Sequence, residues 1–196
     1  MTRELAILLD DAALAGAGRG IFFVDAAGIT AADVNRMATH GRGVISASMS
    51  LSRAFALGIG RMERARVRPD CPVFLASVEA SACCETGISA EERALTLRTL
   101  GRADTAPGDL KSPGHIMPAV VMENRSVLPD FGQAIVAASG GLVAAWCDIL
   151  DHRGNVAGTR DVLALAARLQ IEVMRANVSV PALHRPQREP VLADCA

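Results

Sequence analysis

Short, dense apolar runs alternate along the chain with longer stretches in which apolar residues return every three or four positions. Dense runs of a few residues bounded by polar or turn residues read as buried strands, and the wider spacing reads as one face of a helix. On this basis IFFVD (21–25), GVISASMS (43–50), CPVFLASVEA (71–80), LVAAWCDIL (142–150) and IEVMRANV (171–178) predict strands. HIMPAVVM (115–122) predicts another, entered through a Pro113-Gly114 turn. Glu4 to Ala17 reads as a helix, with Leu5, Leu8, Leu9 and Leu14 at helical spacing and Gly18-Arg19-Gly20 as its stop. ITAADVNRMATHG (29–41) reads as a helix capped by Thr30, with Val34 and Met37 on one face and Gly41 closing it. SAEERALTLRTLG (89–101) has Ser89 as cap, Glu92 completing a capping box and Gly101 as stop. DFGQAIVAASGG (130–141) and TRDVLALAARLQ (159–170) complete the helices, with DHRGN (151–155) a turn between the last two strands. The arginine-rich segment 51–70 reads as a solvated helix face and loop. Strands alternating with helices predict an α/β fold, a single domain over 1–180 with a mixed β-sheet flanked by helices. The proline-bearing, charged stretch 181–196 reads as a C-terminal tail.

Composition narrows function chiefly by exclusion. A net charge of -1 leaves no electrostatic footprint for nucleic acid, and 3% aromatics with no tyrosine leave few platforms on which bases stack. No window approaches the roughly 18 uninterrupted apolar residues of a membrane span, and MTRELAILLDD lacks the basic and apolar regions of a signal peptide. Five cysteines without C-x-x-C spacing argue against a disulfide framework or a zinc site, so a cytoplasmic location is expected. The nucleophile-elbow, P-loop and H-E-x-x-H patterns are absent, and GAGRGIFF precedes a strand where a dinucleotide loop would follow one.

Four longer blocks carry more information. HGRGVI (40–45), VEASACCETGISAEERALTLRTL (78–100), DLKSPGHIMP (109–118) and AAWCDILDHRGNVA (144–157) occur in that order. They resemble the blocks R-H-G-x-G, T-T-G-[IV]-S-A-x-D-R, R-P-G-H-[VI]-F-P and C-E-[IL]-x-[ND]-D-G-x-x-A of the 3,4-dihydroxy-2-butanone 4-phosphate synthase family, over roughly residues 5 to 178. The resemblance implies a homodimer with active sites near the subunit interface. It also implies a lyase of riboflavin biosynthesis that uses Mg²⁺ to convert ribulose 5-phosphate into dihydroxybutanone phosphate and formate.

Carried over position by position, the resemblance makes His115 and Asp148 the catalytic candidates. His115 matches the histidine of R-P-G-H, and Asp148 matches the glutamate of C-E-[IL] with a reach shorter by about 1.5 Å. Thr86 matches the second threonine of T-T-G and Glu85 replaces the first. With Lys111, beside the Ser112 that replaces the family arginine, and Arg125, they form the expected substrate-binding set. The metal apparatus departs from the family. The acidic D-D-E-D-R-E-N-E-G-D loop is reduced to Asp25 followed by Ala-Ala-Gly, and Val127 falls where a metal histidine is expected. No metal ligand and no cofactor are therefore expected, with Mg²⁺ entering only if the family reaction is retained through substitutes such as Asp25, Glu123 or Asp130.

Each residue also has a plainer reading. His115 after Pro-Gly suits an ordinary turn, Asp148 suits a carboxylate bonding the N–H groups of the following turn, and Cys83 and Cys84 suit small buried hydrophobes. His40 suits the end of a helix. Three functions follow from the residues and the resemblance. The first is a divergent, metal-independent enzyme in which His115 and Asp148 move protons on a small hydroxy-carbonyl or sugar-phosphate-like substrate. The second is the retained synthase, and the third an inactive dimeric binding protein.

Overall fold

A computed structural model describes residues 4–11, 13, 17–62, 73–121, 136 and 140–176. Its strands are β1 (Ala6–Asp10), β2 (Arg19–Asp25), β3 (Ser46–Ser50), β4 (Val73–Phe74), β5 (Val78–Ala80), β6 (Leu110–Val121), β7 (Val143–Asp148) and β8 (Val173–Arg175). They form one mixed sheet in the order β4-β6-β3-β7-β2-β1-β8, with β5 also paired to β6. The β3–β6 and β1–β8 pairs are parallel, and the other pairs are antiparallel. The helices are α1 (Ala31–Arg36), α2 (Leu51–Ala56), α3 (Ala90–Gly101) and α4 (Thr159–Leu169).

The expected helix over 4–17 is corrected by the structure, which makes Ala6–Asp10 a strand. The leucine spacing fits either element, and what decides is burial on two sides. Ile7 and Leu9 join Phe22, Val24, Met37, Leu97, Leu100 and Val162 in the larger apolar cluster, while Ala6 and Leu8 join Ile21, Phe23, Ala144 and Trp146 in a second one. Alternate residues of β1 thus enter opposite layers, which is the period of a strand. The anticipated stop, Gly18-Arg19-Gly20, instead leads into β2.

Most other elements follow from their local signals. Thr30 Oγ1 accepts from Asp33 N while the Asp33 carboxylate accepts from Thr30 N, so α1 starts on a reciprocal cap. Its chain continues through a wider turn over Met37–Gly41 and leaves it at Arg42, in the left-handed region. Ser89 caps α3 as expected, but the Glu92 side chain turns to the preceding loop and away from the Ser89 amide. The single strand expected over 71–80 divides into β4 and β5, both laid along β6. Pro113-Gly114 also differs from expectation, lying inside β6 where a turn before it is predicted. The helix expected at 130–141, apart from Val136 and the terminal glycines, lies outside the described residues, as do Arg125, Val127 and the tail.

Candidate active site

The row Met117–Ser46–Trp146 runs across β6, β3 and β7. Residues in one row present their side chains to one face, and Trp146 belongs to the second cluster, so that face is the one opposite the large helix-covered core. His115 and Asp148 each stand two residues beyond this row, in the same direction because β6 and β7 run oppositely. They therefore share one face and one end of the sheet, on the two strands that flank β3, about 10 Å apart at the backbone by two strand spacings. Each has its own ionic partner, and no ion pair joins them.

His115 projects from an irregular step in β6. Val78 lies opposite Ile116 and Glu79 lies opposite Lys111, so Ser112-Pro113-Gly114-His115 bulges out of register against β5. Ser112 Oγ donates to Ser77 O at 2.7 Å and the Gly114 amide donates to Ser77 Oγ at 3.3 Å, which fastens the step. Gly114 is required here because a Cβ would stand 2.0 Å from the Val78 carbonyl carbon. The bulge delivers the imidazole to Glu79, whose Oε2 lies 3.6 Å from His115 Nδ1 and whose Oε1 lies 3.2 Å from Lys111 Nζ. Glu79 is buried, and a buried carboxylate needs such partners because desolvation penalises its charge. Lys111 Nζ also donates to Cys83 O at 3.2 Å, tying β6 to the loop before α3.

That loop carries Glu85 and Thr86, both exposed. Glu92 holds it by accepting from the amides of Glu85 (2.9 Å) and Gly87 (2.8 Å). The Glu85 amide is the largest cause that keeps the Glu92 carboxyl below its ordinary range, with Gly87, Ser89 and Cys84 acting the same way against a partial desolvation. Gly87 has φ 73°, and a Cβ there would meet Glu79 Oε2 at 1.8 Å. The loop can thus press against the Glu79 carboxylate only with glycine at this position.

Asp148 makes a different bond from the one its plainer reading predicts. Arg19 Nε donates to its Oδ1 at 2.8 Å and Arg19 Nη2 lies 2.7 Å from the same oxygen. The turn N–H groups of Arg153 and Asn155 are taken by Asp151. Two partners, Glu79 and Arg19, were missed by sequence reasoning. Glu79 was legible as an ionisable residue inside an apolar run, which implies a paired charge, whereas Arg19 was hidden in a segment read as a stop.

The family model for 3,4-dihydroxy-2-butanone 4-phosphate synthase matches residues 3–178. The chain belongs to that family. It is 26% identical over 179 residues to the riboflavin biosynthesis protein RibBA of Bacillus subtilis (strain 168), covering 87% of this chain and 44% of the relative. It is 27% identical over 176 residues to the 3,4-dihydroxy-2-butanone 4-phosphate synthase of Pseudomonas aeruginosa, covering 87% and 47%. The chain thus spans less than half the length of these relatives. Among solved structures, RibBX, a two-domain synthase from A. baumannii, superposes with a TM-score of 0.77 at 25% identity, over 88% of this chain and 52% of that one. A synthase in complex with two magnesium ions superposes with a TM-score of 0.74 at 24% identity, over 88% and 87%.

Among the described residues no group of three His, Cys, Asp or Glu side chains converges. Asp25, the remnant of the acidic loop, accepts from the Ala27 amide at 3.2 Å and caps the short turn that follows β2. Glu123 and Asp130 lie outside the described residues. No helix among those described is long and apolar enough to cross a membrane.

Proposed function

We propose that the chain is a divergent enzyme of its family, of lyase or isomerase type, which uses His115 and Asp148 for proton transfer on a small hydroxy-carbonyl or sugar-phosphate-like substrate without relying on a metal. The observation that carries this reading is the placement of the two residues on one face and one end of the sheet, separated by the width of β3. Glu79 beside Nδ1 favours the tautomer with the proton on that nitrogen, which leaves His115 Nε2 free to accept one from a carbon next to a carbonyl. The electron pair released moves into an enediolate, whose oxygen takes up a proton. The hydroxyl on the deprotonated carbon then gives up its proton and becomes the new carbonyl as a proton is returned to the former carbonyl carbon, which completes an isomerisation with no atom gained or lost. Asp148, paired with Arg19, serves the second transfer in this reading, and Lys111 and Arg125 suit the anionic group of the substrate. Glu85 and Thr86, on the loop fastened by Glu92, complete the substrate set. The exposed apolar side chains Val44 (64%) and Ile88 (52%), the first between the strands of His115 and Asp148 and the second next to the 85–87 loop, suit contact with a second copy in a cytoplasmic homodimer.

Family membership favours one competing reading, the retained synthase reaction. Incubation with ribulose 5-phosphate, with and without Mg²⁺, separates the two. The divergent reading expects loss of substrate without stoichiometric formate and without dependence on Mg²⁺. Formate release that requires Mg²⁺ supports the synthase instead. Within either outcome, His115→Asn is expected to lower the rate at least about 100-fold, the scale of a lost general acid–base group. An unchanged rate removes His115 from the chemistry.

A further inference from the structure

Of the 20 lysine and arginine residues in the chain, Lys111 is the single lysine. It is therefore the one side chain that offers a primary amine, and it stands in the candidate active site. The arginines carry a guanidinium that stays protonated and does not act as a nucleophile. A lysine amine does, and it joins to aldehydes and ketones as an imine.

The geometry places this amine where such a bond is useful. Lys111 and His115 are four positions apart on β6, which in a regular strand separates two backbones by about 13 Å. The bulge over 112–115 and the length of the lysine instead bring both side chains to one carboxylate. Nζ lies 3.2 Å from Glu79 Oε1, and His115 Nδ1 lies 3.6 Å from Glu79 Oε2. The Glu79 side chain is 11% exposed, against 44% for each of the other two, so the amine and the imidazole form the open edge of the cluster and the carboxylate its base. Cys83 O, accepting from Nζ at 3.2 Å, holds the amine at that edge. A carbonyl compound that presents its neighbouring carbon to His115 thus meets a nucleophile beside it, with a carboxylate shared between the two.

We propose that Lys111 is a catalytic residue that forms an imine with a β-hydroxy aldehyde or ketone, and that the chain acts on this adduct as a lyase. The inference rests on the proton-transfer reading of the same site, and it gives Lys111 a covalent role beside its charge, which the iminium keeps. The ammonium passes one proton to Glu79, its nitrogen attacks the carbonyl carbon as the C=O π bond opens, and a second proton moves from nitrogen to oxygen. Glu79 returns its proton to that hydroxyl, which leaves as water while the nitrogen lone pair closes the iminium. Ammonium and carbonyl thus become iminium and water with charge conserved. His115 Nε2 then takes the proton from the adjacent carbon, and the electron pair flows to nitrogen as an enamine. The pair returns to expel the hydroxyl one carbon further on, which leaves as water with the proton from His115. Addition of water releases the unsaturated carbonyl product and restores the ammonium. The isomerase branch does not suit an iminium, because a proton returned to the carbon that bears nitrogen leaves a saturated amine that water does not release.

The test uses the full chain with ribulose 5-phosphate, which carries the required hydroxyl, and sodium cyanoborohydride, which reduces an iminium to a stable secondary amine. One adduct per chain is expected, mapped by peptide mass to Lys111, with the α-amino group labelled no faster than in unfolded protein. Each imine cycle also replaces the ketone oxygen with one from water, so ¹⁸O should enter the substrate faster than in a protein-free blank. Lys111→Arg keeps the charge beside Glu79 but is expected to lose the adduct, return ¹⁸O exchange to the blank and slow substrate loss at least about 100-fold, as removal of a nucleophile does. Absence of the Lys111 adduct, or exchange unchanged in Lys111→Arg, overturns the imine. His115→Asn separates this inference from the reading beneath it, since it should keep the adduct and the exchange while turnover falls. An adduct with full turnover in His115→Asn leaves the imine standing and removes His115, whereas slow turnover in His115→Asn without any adduct does the reverse.

Discussion

At the scale of single residues, burial assigns the thiols different chemistry. Cys147 lies in the core of β7, and burial, the largest cause, pushes its thiol up to about 12. Cys83 is buried and Cys84 is exposed. In a Cys71→Ser, Cys195→Ser background, a thiol reagent near pH 8 is expected to modify Cys84 alone in the native protein. Cys83 and Cys147 should react after unfolding, and fast native labelling that survives Cys84→Ser contradicts the assignment. The sequence reading made both Cys83 and Cys84 small buried hydrophobes, which the structure bears out for Cys83 and corrects for Cys84, because adjacency conceals that neighbouring side chains leave a chain in different directions. Asp148 illustrates the same limit. Its need for a partner was legible from an acidic residue at the end of an apolar strand, but the partner, Arg19, lies 129 residues away and becomes its neighbour through strand pairing.

At the scale of elements, caps and turns were legible because their chemistry is local. Thr30, Ser89 and the DHRGN turn need no distant information. The first strand was not, since a run such as LAILL becomes strand or helix according to what covers it. The loop before α3 has a testable dependence on pH. The folded state depresses the Glu92 carboxyl, so its hold on the loop is present above the ordinary carboxylate range and lost as pH falls through the depressed value. Amide exchange at Glu85 and Gly87, corrected for its intrinsic rate, is expected to accelerate as acid protonates Glu92. In Glu92→Gln the exchange should be fast already at neutral pH, with little further change. Equal protection in the variant would show that other contacts hold the loop.

At the scale of the whole molecule, alternating strands and helices made the mixed sheet legible, and block order made the family legible. Neither revealed that the sheet buries two layers, with helices over one and the His115–Asp148 end on the other. That division comes from the register of β6, β3 and β7, and register depends on pairings between segments up to about 100 residues apart. The chain has one tryptophan, and register places it in the row next to that end. Trp146 is 4% exposed, and its indole N–H has no partner among the described residues. A lone indole with an unsatisfied donor is a fluorophore whose emission follows small changes in local polarity. A molecule seated between His115 and Asp148 should therefore shift the intrinsic emission, and the shift should weaken in His115→Asn. The protein thus carries its own optical reporter, and substrate candidates can be screened by light before any product is known.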